Sequence, residues 1–144
     1  MLFDEPFSAL DPLIRRDMQD EVIRLRAELG KTMVFITHDL SEALRLGDRI
    51  AIMRDGRFVQ VDTPVNVVSS PADEYVANFV RDIPRSQVIP VEHVMGPLGP
   101  GPYSGDVAVG TRVRAAVAAV AASPLPLRVI DASGAVAAVV IRPM

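Results

Sequence analysis

Apolar residues in the first part of the chain alternate between a helical spacing and short continuous runs. The segment DPLIRRDMQDEVIRLRAELG carries apolar residues three or four positions apart, which predicts a helix that begins near Pro12 and ends at Gly30. The run TMVFIT follows it and is rich in β-branched and aromatic residues. Such a run is typical of a strand buried on both faces of a parallel sheet.

Polar punctuation predicts the elements that come next. DLSEALRLG reads as a second helix, in which Asp39 and Glu42 have the spacing of a capping box. Two alternating runs flank Asp55-Gly56, a strong signal for a β-hairpin. Two short helical pieces follow, each opened or preceded by a proline. The order strand, helix, strand, helix, hairpin and helices indicates an α/β layered domain.

The pattern changes towards the carboxyl end, where Gly and Pro dominate a loop over residues 96–105. Beyond it we predict a strand, an Ala-rich helix and a final hairpin, which together make a small α+β unit. Val113, Val117 and Val120 fall on one face of that helix and are expected to pack in a core. The chain is therefore divided into domains at 1–87 and 88–144.

Composition removes several classes of function. The net charge is −3 and no basic stripe is present, so nucleic acid is not expected as a partner. Cysteine is absent, which excludes disulfides and zinc sites built on thiolates. The apolar runs are shorter than the ~20 residues that span a bilayer, and the start does not resemble a signal peptide. A cytoplasmic protein is expected.

Three polar residues follow predicted strands. Asp4 and Glu5 come directly after MLF, and His38 follows TMVFIT. Parallel strands place their carboxyl ends at one sheet edge, where ligands bind, and two acids with an imidazole suit metal-assisted phosphoryl transfer. Taken alone, however, the acid pair also fits a solvated strand-to-loop junction. His93, in VEHVM, has no such company and is expected to lie on a surface helix.

Three short motifs carry a resemblance to a known family. LFDEP, FSALDP and ITHD resemble the Walker B strand, D-loop and H-loop of ATP-binding cassette (ABC) transporter ATPases, in the same order. The resemblance implies that Asp4 is the magnesium-associated acid and that Glu5 is the catalytic base. It implies that Asp11 contacts a partner subunit and that His38 is the switch histidine. Asp11 is expected to cap the following helix as well.

Longer stretches narrow the resemblance to the quaternary-amine importers, which take up glycine betaine, proline and related compatible solutes. These are FSALDPLIRRDMQDEVIRLR, ITHDLSEALRLGDRIAIMRDGRFVQVDTP and YVANFVRDIPRSQVI. The resemblance implies a P-loop NTPase layered sheet, with ATP and Mg²⁺ as cofactors. It also implies a second ATPase subunit, an integral membrane permease and a periplasmic or lipid-anchored substrate-binding protein as partners. The protein would then lie at the inner face of the cell membrane.

The family's phosphate-binding loop, G-x-x-x-x-G-K-[ST], and its Ser-Gly-Gly signature are not found in these residues. Lys31 lies in GKT, but there Gly30 closes a predicted helix and Thr32 opens a strand, the reverse of the order in a P-loop. We therefore expect a partial ABC ATPase fold that lacks its N-terminal half. The chain alone is not expected to bind ATP tightly or to hydrolyse it.

The tail resembles a single cystathionine-β-synthase-type (CBS) motif, chiefly through RVIDASGAVAAVV. Ala138, Ile141 and Met144 stand where that family's pattern has a glycine, a threonine or serine, and an aspartate. A structural or dimerising module is therefore expected rather than an adenosine site. Two alternatives stay open for the whole chain: a non-catalytic regulatory or dimerisation remnant, and an ABC ATPase for a different solute.

Overall fold

The computed structural model describes residues 1–122 and 124–139, with side chains through residue 136. They form a small α/β protein with short sheets, divided into two compact units. The first unit is Met1–Asp82 and the second begins at Ile83. None of the described helices is both long enough and apolar enough to cross a membrane.

The first unit follows the predicted order of strand, helix, strand, helix, hairpin and helices. Its elements are β1 (Leu2–Asp4), α1 (Pro12–Leu29), β2 (Val34–Ile36), α2 (Leu40–Leu46), β3 (Ile50–Arg54), β4 (Arg57–Asp62), α3 (Pro64–Ser69) and α4 (Glu74–Phe79).

Both ends of α1 have the predicted caps. The Asp11 side chain accepts hydrogen bonds from the first-turn amides, and Pro12 occupies the first turn, where its missing N–H costs nothing. At the other end Gly30 adopts a left-handed φ of 59°, and its N–H donates to the Arg26 carbonyl at 3.1 Å. Gly30 of GKT is thus a helix cap, as predicted, and Lys31 and Thr32 lie in the irregular segment that leads into β2.

β1 and β2 form a parallel pair in which Phe3 lies opposite Phe35. Their rings stack with centroids 4.7 Å apart, and the buried Phe7 ring stacks on Phe35 at 6.3 Å. The prediction that β2 is buried on both faces is wrong for the described residues. Val34 and Ile36 point away from the stacked rings and are about half exposed, because no described element covers that face.

The predicted hairpin is present as β3 and β4. Asp55 and Gly56 have φ values of 49° and 73°, the backbone of a two-residue turn that matches the twist of paired strands. Ile50 and Ile52 are buried on one face of this hairpin. The two short helices after the hairpin bury valines, and α3 opens with a proline as expected.

The second unit begins with two 3₁₀ turns, Arg85–Gln87 and Val91–His93. It continues with β5 (Gly105–Ala108), α5 (Val113–Ala121), β6 (Leu127–Ile130) and β7 (Val136–Val139). β6 is central, parallel to β5 and antiparallel to β7. In the resemblance to the CBS family, three tail positions stand in place of ligand residues. Of these, Ile141, Met144 and the side chain of Ala138 lie outside the described residues.

The core of this unit contains Val91, Ala116 and Val129. The predicted stripe on α5 is therefore wrong at one position: Val120 is 9% exposed but Val117 is 52% exposed. With 3.6 residues per turn, the inward face passes through Ala116 and Val120, whereas Val117 lies about 100° around the helix from Ala116 and is turned towards solvent. Ala116 was not selected from the sequence because alanine appears on every side of this helix.

A matched pair of substitutions tests this assignment. We expect Val120→Ala to lower the stability of the second unit by about 1–2 kcal/mol, since it removes buried methyl groups and leaves a cavity. Val117→Ala should change stability by less than about 0.5 kcal/mol, because the side chain is exposed and alanine is the better helix former. Native-state hydrogen exchange of the β6 amides measures both. Equal losses for the two variants would contradict the observed face.

Candidate functional site

The parallel pairing of β1 and β2 sets the position of the candidate site. Asp4 lies opposite Ile36, so the two strands end at the same level. The N–H of Glu5 then donates to the Ile36 carbonyl at 2.9 Å, which extends the ladder by one bond. Residues that follow the two strands are consequently brought to one sheet edge, as the sequence predicted.

Glu5 and His38 are in direct contact at this edge. Glu5 Oε1 accepts a hydrogen bond from the His38 backbone N–H at 3.0 Å and lies 2.7 Å from His38 Nδ1. Glu5 has a φ of 46°, a left-handed backbone that is uncommon for a residue with a side chain. The Ser8 hydroxyl donates to the Glu5 carbonyl at 3.0 Å and supports this turn.

The pair is open to solvent on the histidine side. The His38 side chain is 79% exposed and that of Glu5 is 35% exposed. The hydrogen bond to Glu5 and its negative charge raise the pKa of His38 above its ordinary value. Burial opposes that rise, while the charges of Asp39 and Glu42 add smaller contributions to it. A ring with these neighbours carries a positive charge over a wider pH range and can approach an anionic group from solvent.

The other two predicted site residues are not part of this contact. Asp4 is exposed at the end of β1, and within the described residues its carboxylate makes no hydrogen bond or ion pair. Asp11 Oδ1 accepts from the N–H groups of Leu13 and Ile14 at 2.9 and 3.1 Å, so this residue caps α1. A partner-subunit contact by Asp11 stays a prediction.

The carboxylates at the sheet edge fit a magnesium ion only in part. The described residues contain no group of three or more histidine, cysteine or acidic side chains that could enclose a metal. Mg²⁺ is commonly held by one or two carboxylates and completed by waters and substrate phosphates. Asp4, with its unengaged carboxylate, fits that incomplete kind of site.

The sequence did not predict the residues that lie beneath His38. Glu42 is buried, and its carboxylate accepts a hydrogen bond from the Thr37 hydroxyl at 2.8 Å. Arg15 from α1 lies within ion-pair distance of Asp39 and Glu42. Only half of the expected capping box is therefore present. The Asp39 side chain caps α2, but Glu42 turns towards Thr37 instead of the Asp39 amide.

Comparison with known proteins shows which proteins the chain is similar to. No family model matches the chain, but about two thirds of it is similar to ATP-binding proteins of transport systems. The trimethylamine N-oxide transport protein TmoW of Pelagibacter ubique is 60% identical over 92 residues, 64% of this chain and 27% of the relative. The glycine betaine transport protein OpuAA of Bacillus subtilis is 56% identical over 95 residues, 66% of this chain and 23% of the relative.

A third relative agrees with these. The glycine betaine/proline betaine transport protein ProV of Escherichia coli is 53% identical over 94 residues, covering 65% of this chain and 24% of the relative. The matched part of the chain is thus similar to ATP-binding proteins of glycine betaine and trimethylamine N-oxide transport systems, which confirms the resemblance drawn from the motifs. The chain spans about a quarter of the length of these relatives.

The contact between Glu5 and His38 leads to a pH prediction. The pKa of His38 is raised in the folded protein, so the pair contributes stability fully below the unfolded pKa of about 6.5. That contribution is lost as pH rises through the higher folded pKa. In Glu5→Gln the titration midpoint of the His38 ring, followed by NMR, should move down towards the ordinary value, because the carboxylate charge is gone.

His93 provides an internal reference for this measurement. It lies in the second unit, and its ring signals should be the same in the wild-type and Glu5→Gln proteins. A His38 midpoint that does not change in Glu5→Gln would contradict the observed pairing.

Proposed function

We propose that Asp4, Glu5 and His38 form the ATP-hydrolysing edge of an ABC importer subunit that energises uptake of glycine betaine or a related compatible solute. The observation that carries this proposal is the contact between Glu5 and His38 at the joined ends of two parallel strands. The identity to ATP-binding proteins for glycine betaine and trimethylamine N-oxide transport supports the solute class.

Glu5 is suited to the role of general base. One oxygen, Oε1, is engaged by His38, while Oε2 has no hydrogen-bond partner in the described part of the chain. Oε2 can thus orient a water molecule and take its proton as the water attacks a phosphoryl group. The backbone turn at Glu5 fixes the direction of the carboxylate, which favours a single attack geometry.

Asp4 and His38 handle charge in this scheme. Asp4 would hold Mg²⁺ directly or through water, and the ion, when bound with ATP, neutralises charge that builds on the phosphates. The contact with Glu5 raises the pKa of His38 and so favours its charged form, and the exposed ring edge would face the terminal phosphate. Both ATP and Mg²⁺ would need a phosphate-binding loop, a motif that these residues do not contain.

The partners follow from the proposed class. Asp11 would contact a second ATPase subunit in a homodimer, and a membrane permease with a periplasmic or lipid-anchored binding protein would complete the importer. The protein would sit in the cytoplasm at the inner face of the membrane, attached through the permease. For residues 88–144 we propose a single CBS-like motif, supported by the order of β5, α5, β6 and β7. Its proposed role is structural or dimerising.

A chimera tests the catalytic assignment. The 95 matching residues would replace their counterparts in OpuAA of Bacillus subtilis, in cells without other glycine betaine uptake. We expect the chimera to restore uptake and ATPase activity. Glu5→Gln should lower ATP hydrolysis at least ~100-fold, the usual size of a lost general base.

Glu28→Gln is the matched control, since Glu28 is an exposed acid on α1 that, among the residues the structure describes, pairs only with Arg24. It should leave hydrolysis within about twofold of the chimera's value, as exposed pairs contribute little. Equal rates of ATP hydrolysis in the Glu5→Gln chimera and the Glu28→Gln chimera would overturn the proposal. That result would favour the non-catalytic, regulatory interpretation of these residues.

Residues 1–144 alone should not bind Mg-ATP tightly, because they contain neither the lysine nor the backbone amides of a phosphate-binding loop. Isothermal titration calorimetry of this chain with Mg-ATP should show no binding in the micromolar range. Micromolar affinity would mean that the triphosphate is held by residues other than a P-loop.

A further inference from the structure

The starting point is a buried acid below the candidate site. Glu42 is 5% exposed, although it lies on the short helix α2. A buried carboxylate is costly unless hydrogen bonds and opposite charge compensate it. Here Oε2 accepts from the Thr37 hydroxyl at 2.8 Å, and Oε1 lies 3.8 Å from Arg15 Nε. Burial of the Glu42 carboxylate is thus compensated by Thr37 and Arg15 in their observed positions.

The Thr37 hydroxyl forms a second bond that reaches the site. While it donates to Glu42, it accepts from the backbone N–H of Asp39 at 3.0 Å. A hydroxyl has one proton, so donation to Glu42 leaves its lone pairs for the Asp39 amide. His38 lies between these two anchored residues, and its N–H and Nδ1 both face Glu5 Oε1.

Arg15 adds a contact from α1. Its Nη2 donates to the Leu10 carbonyl at 3.1 Å, and its Nη1 lies 3.7 Å from Asp39 Oδ2. One guanidinium therefore touches the turn before Asp11 and the segment that carries His38. Its planar fork can serve both segments together, which the single ammonium of a lysine cannot do in the same geometry.

We propose that Thr37, Glu42 and Arg15 are positioning residues, which hold the His38 segment so that its backbone N–H and ring engage Glu5 together. The inference deepens the proposed function, because it assigns a supporting role around the same two residues. Within the described residues, none of the three makes a hydrogen bond or an ion pair with the side chains of Asp4, Glu5 or His38. They act through the conformation of residues 37–39.

The experiment uses the whole chain without nucleotide and reads the His38 backbone amide by NMR-detected hydrogen exchange. Thr37→Val removes the hydroxyl with no change of charge, and Thr37→Ser keeps it. We expect His38 amide exchange to rise at least ~10-fold in Thr37→Val and to stay within about twofold of wild type in Thr37→Ser. The Glu5 amide, bonded to the Ile36 carbonyl, should keep its protection in both.

The His38 ring provides a second readout. Glu5, Asp39 and Glu42 are the charged groups that act on it, and Thr37→Val leaves all three in place. A lower titration midpoint in Thr37→Val would therefore report movement of the ring away from Glu5. Wild-type exchange and an unchanged ring in this variant would overturn the proposal. Equal loss of protection at Glu5 and His38 would also overturn it, since the hydroxyl would then serve general stability.

Arg15→Gln keeps the proposal testable if Thr37→Val does not fold. The Arg15 side chain is 30% exposed, so the shorter amide should be accommodated. Exchange at His38 should rise by about threefold or more, because the link to Asp39 is weakened. Arg24→Gln, on an exposed part of α1, is the control and should leave His38 exchange unchanged. Equal exchange in the two arginine variants would contradict the role of Arg15.

Because no nucleotide is used, the outcome is separate from that of the catalytic proposal. Loss of His38 positioning in Thr37→Val can occur whether or not Glu5 is a general base. Conversely, an inactive chimera leaves the exchange result standing.

Discussion

The register between β1 and β2 is the constraint on which the candidate site depends. Phe3 lies opposite Phe35, and the stacked rings with Phe7 fix that register from one face. If β1 slipped by one residue along β2, Phe3 would face the opposite side of the sheet from Phe35, and the two strand ends would no longer be level. With the register kept, Glu5 bonds the Ile36 carbonyl and meets the segment after β2. Burial of aromatic rings on one face of a two-stranded pair thus determines where polar chemistry can occur.

The backbone at Glu5 shows the same dependence at a single residue. A left-handed conformation for a residue with a side chain costs on the order of 1–3 kcal/mol and persists only where neighbours require it. Here the neighbours are the Ile36 carbonyl, the Ser8 hydroxyl and the His38 segment. The cost is offset by bonds made on both sides of the turn. As a result, the carboxylate leaves the strand in one fixed direction.

Local signals were sufficient where the determining residues are neighbours in sequence. The caps of α1 and the hairpin turn at Asp55-Gly56 depend on backbone preferences within a few positions, and both were predictable. Exposure was harder to predict, because it depends on what packs against an element. Ile36 and Val117 are apolar residues of the kind found in cores, yet no described element covers them. Periodicity indicates which residues share a face but not which face is covered.

For the site, the pairing of Glu5 with His38 was predictable from the sequence, but the role of Glu42 was not. Glu5 and His38 could be paired because strand ends meet at one edge, a rule of topology that needs no side-chain detail. Glu42 could not be assigned its role, because its spacing from Asp39 fits a capping box equally well. The choice between the two arrangements is made by the Thr37 hydroxyl and by Arg15 from another helix, contacts that only the folded chain brings together.

The acidic residues near the site differ in how many of their carboxylate oxygens have partners inside the fold. Glu42 Oε2 accepts a hydrogen bond from Thr37, and its Oε1 lies 3.8 Å from Arg15 Nε. Asp39 Oδ1 caps α2, and its Oδ2 lies 3.7 Å from Arg15 Nη1. In contrast, Glu5 and Asp11 each engage only one oxygen within the described residues, and Asp4 engages none.

Asp4, Glu5 and Asp11, each with at least one unengaged oxygen, are the acids that the motifs selected for metal binding, catalysis and subunit contact. An oxygen without an internal partner can accept a bond from water, from a cation's hydration shell or from another subunit at little cost to folding. An oxygen already bonded inside the fold would first have to break that bond. The free oxygens of Asp4, Glu5 and Asp11 leave room for the ligands that the motifs imply, although other exposed acids in the described part of the chain, such as Asp17 and Asp82, have free oxygens as well. The roles of Asp4, Glu5 and Asp11 as site residues stay predictions, whereas Asp39 and Glu42 make contacts inside the fold.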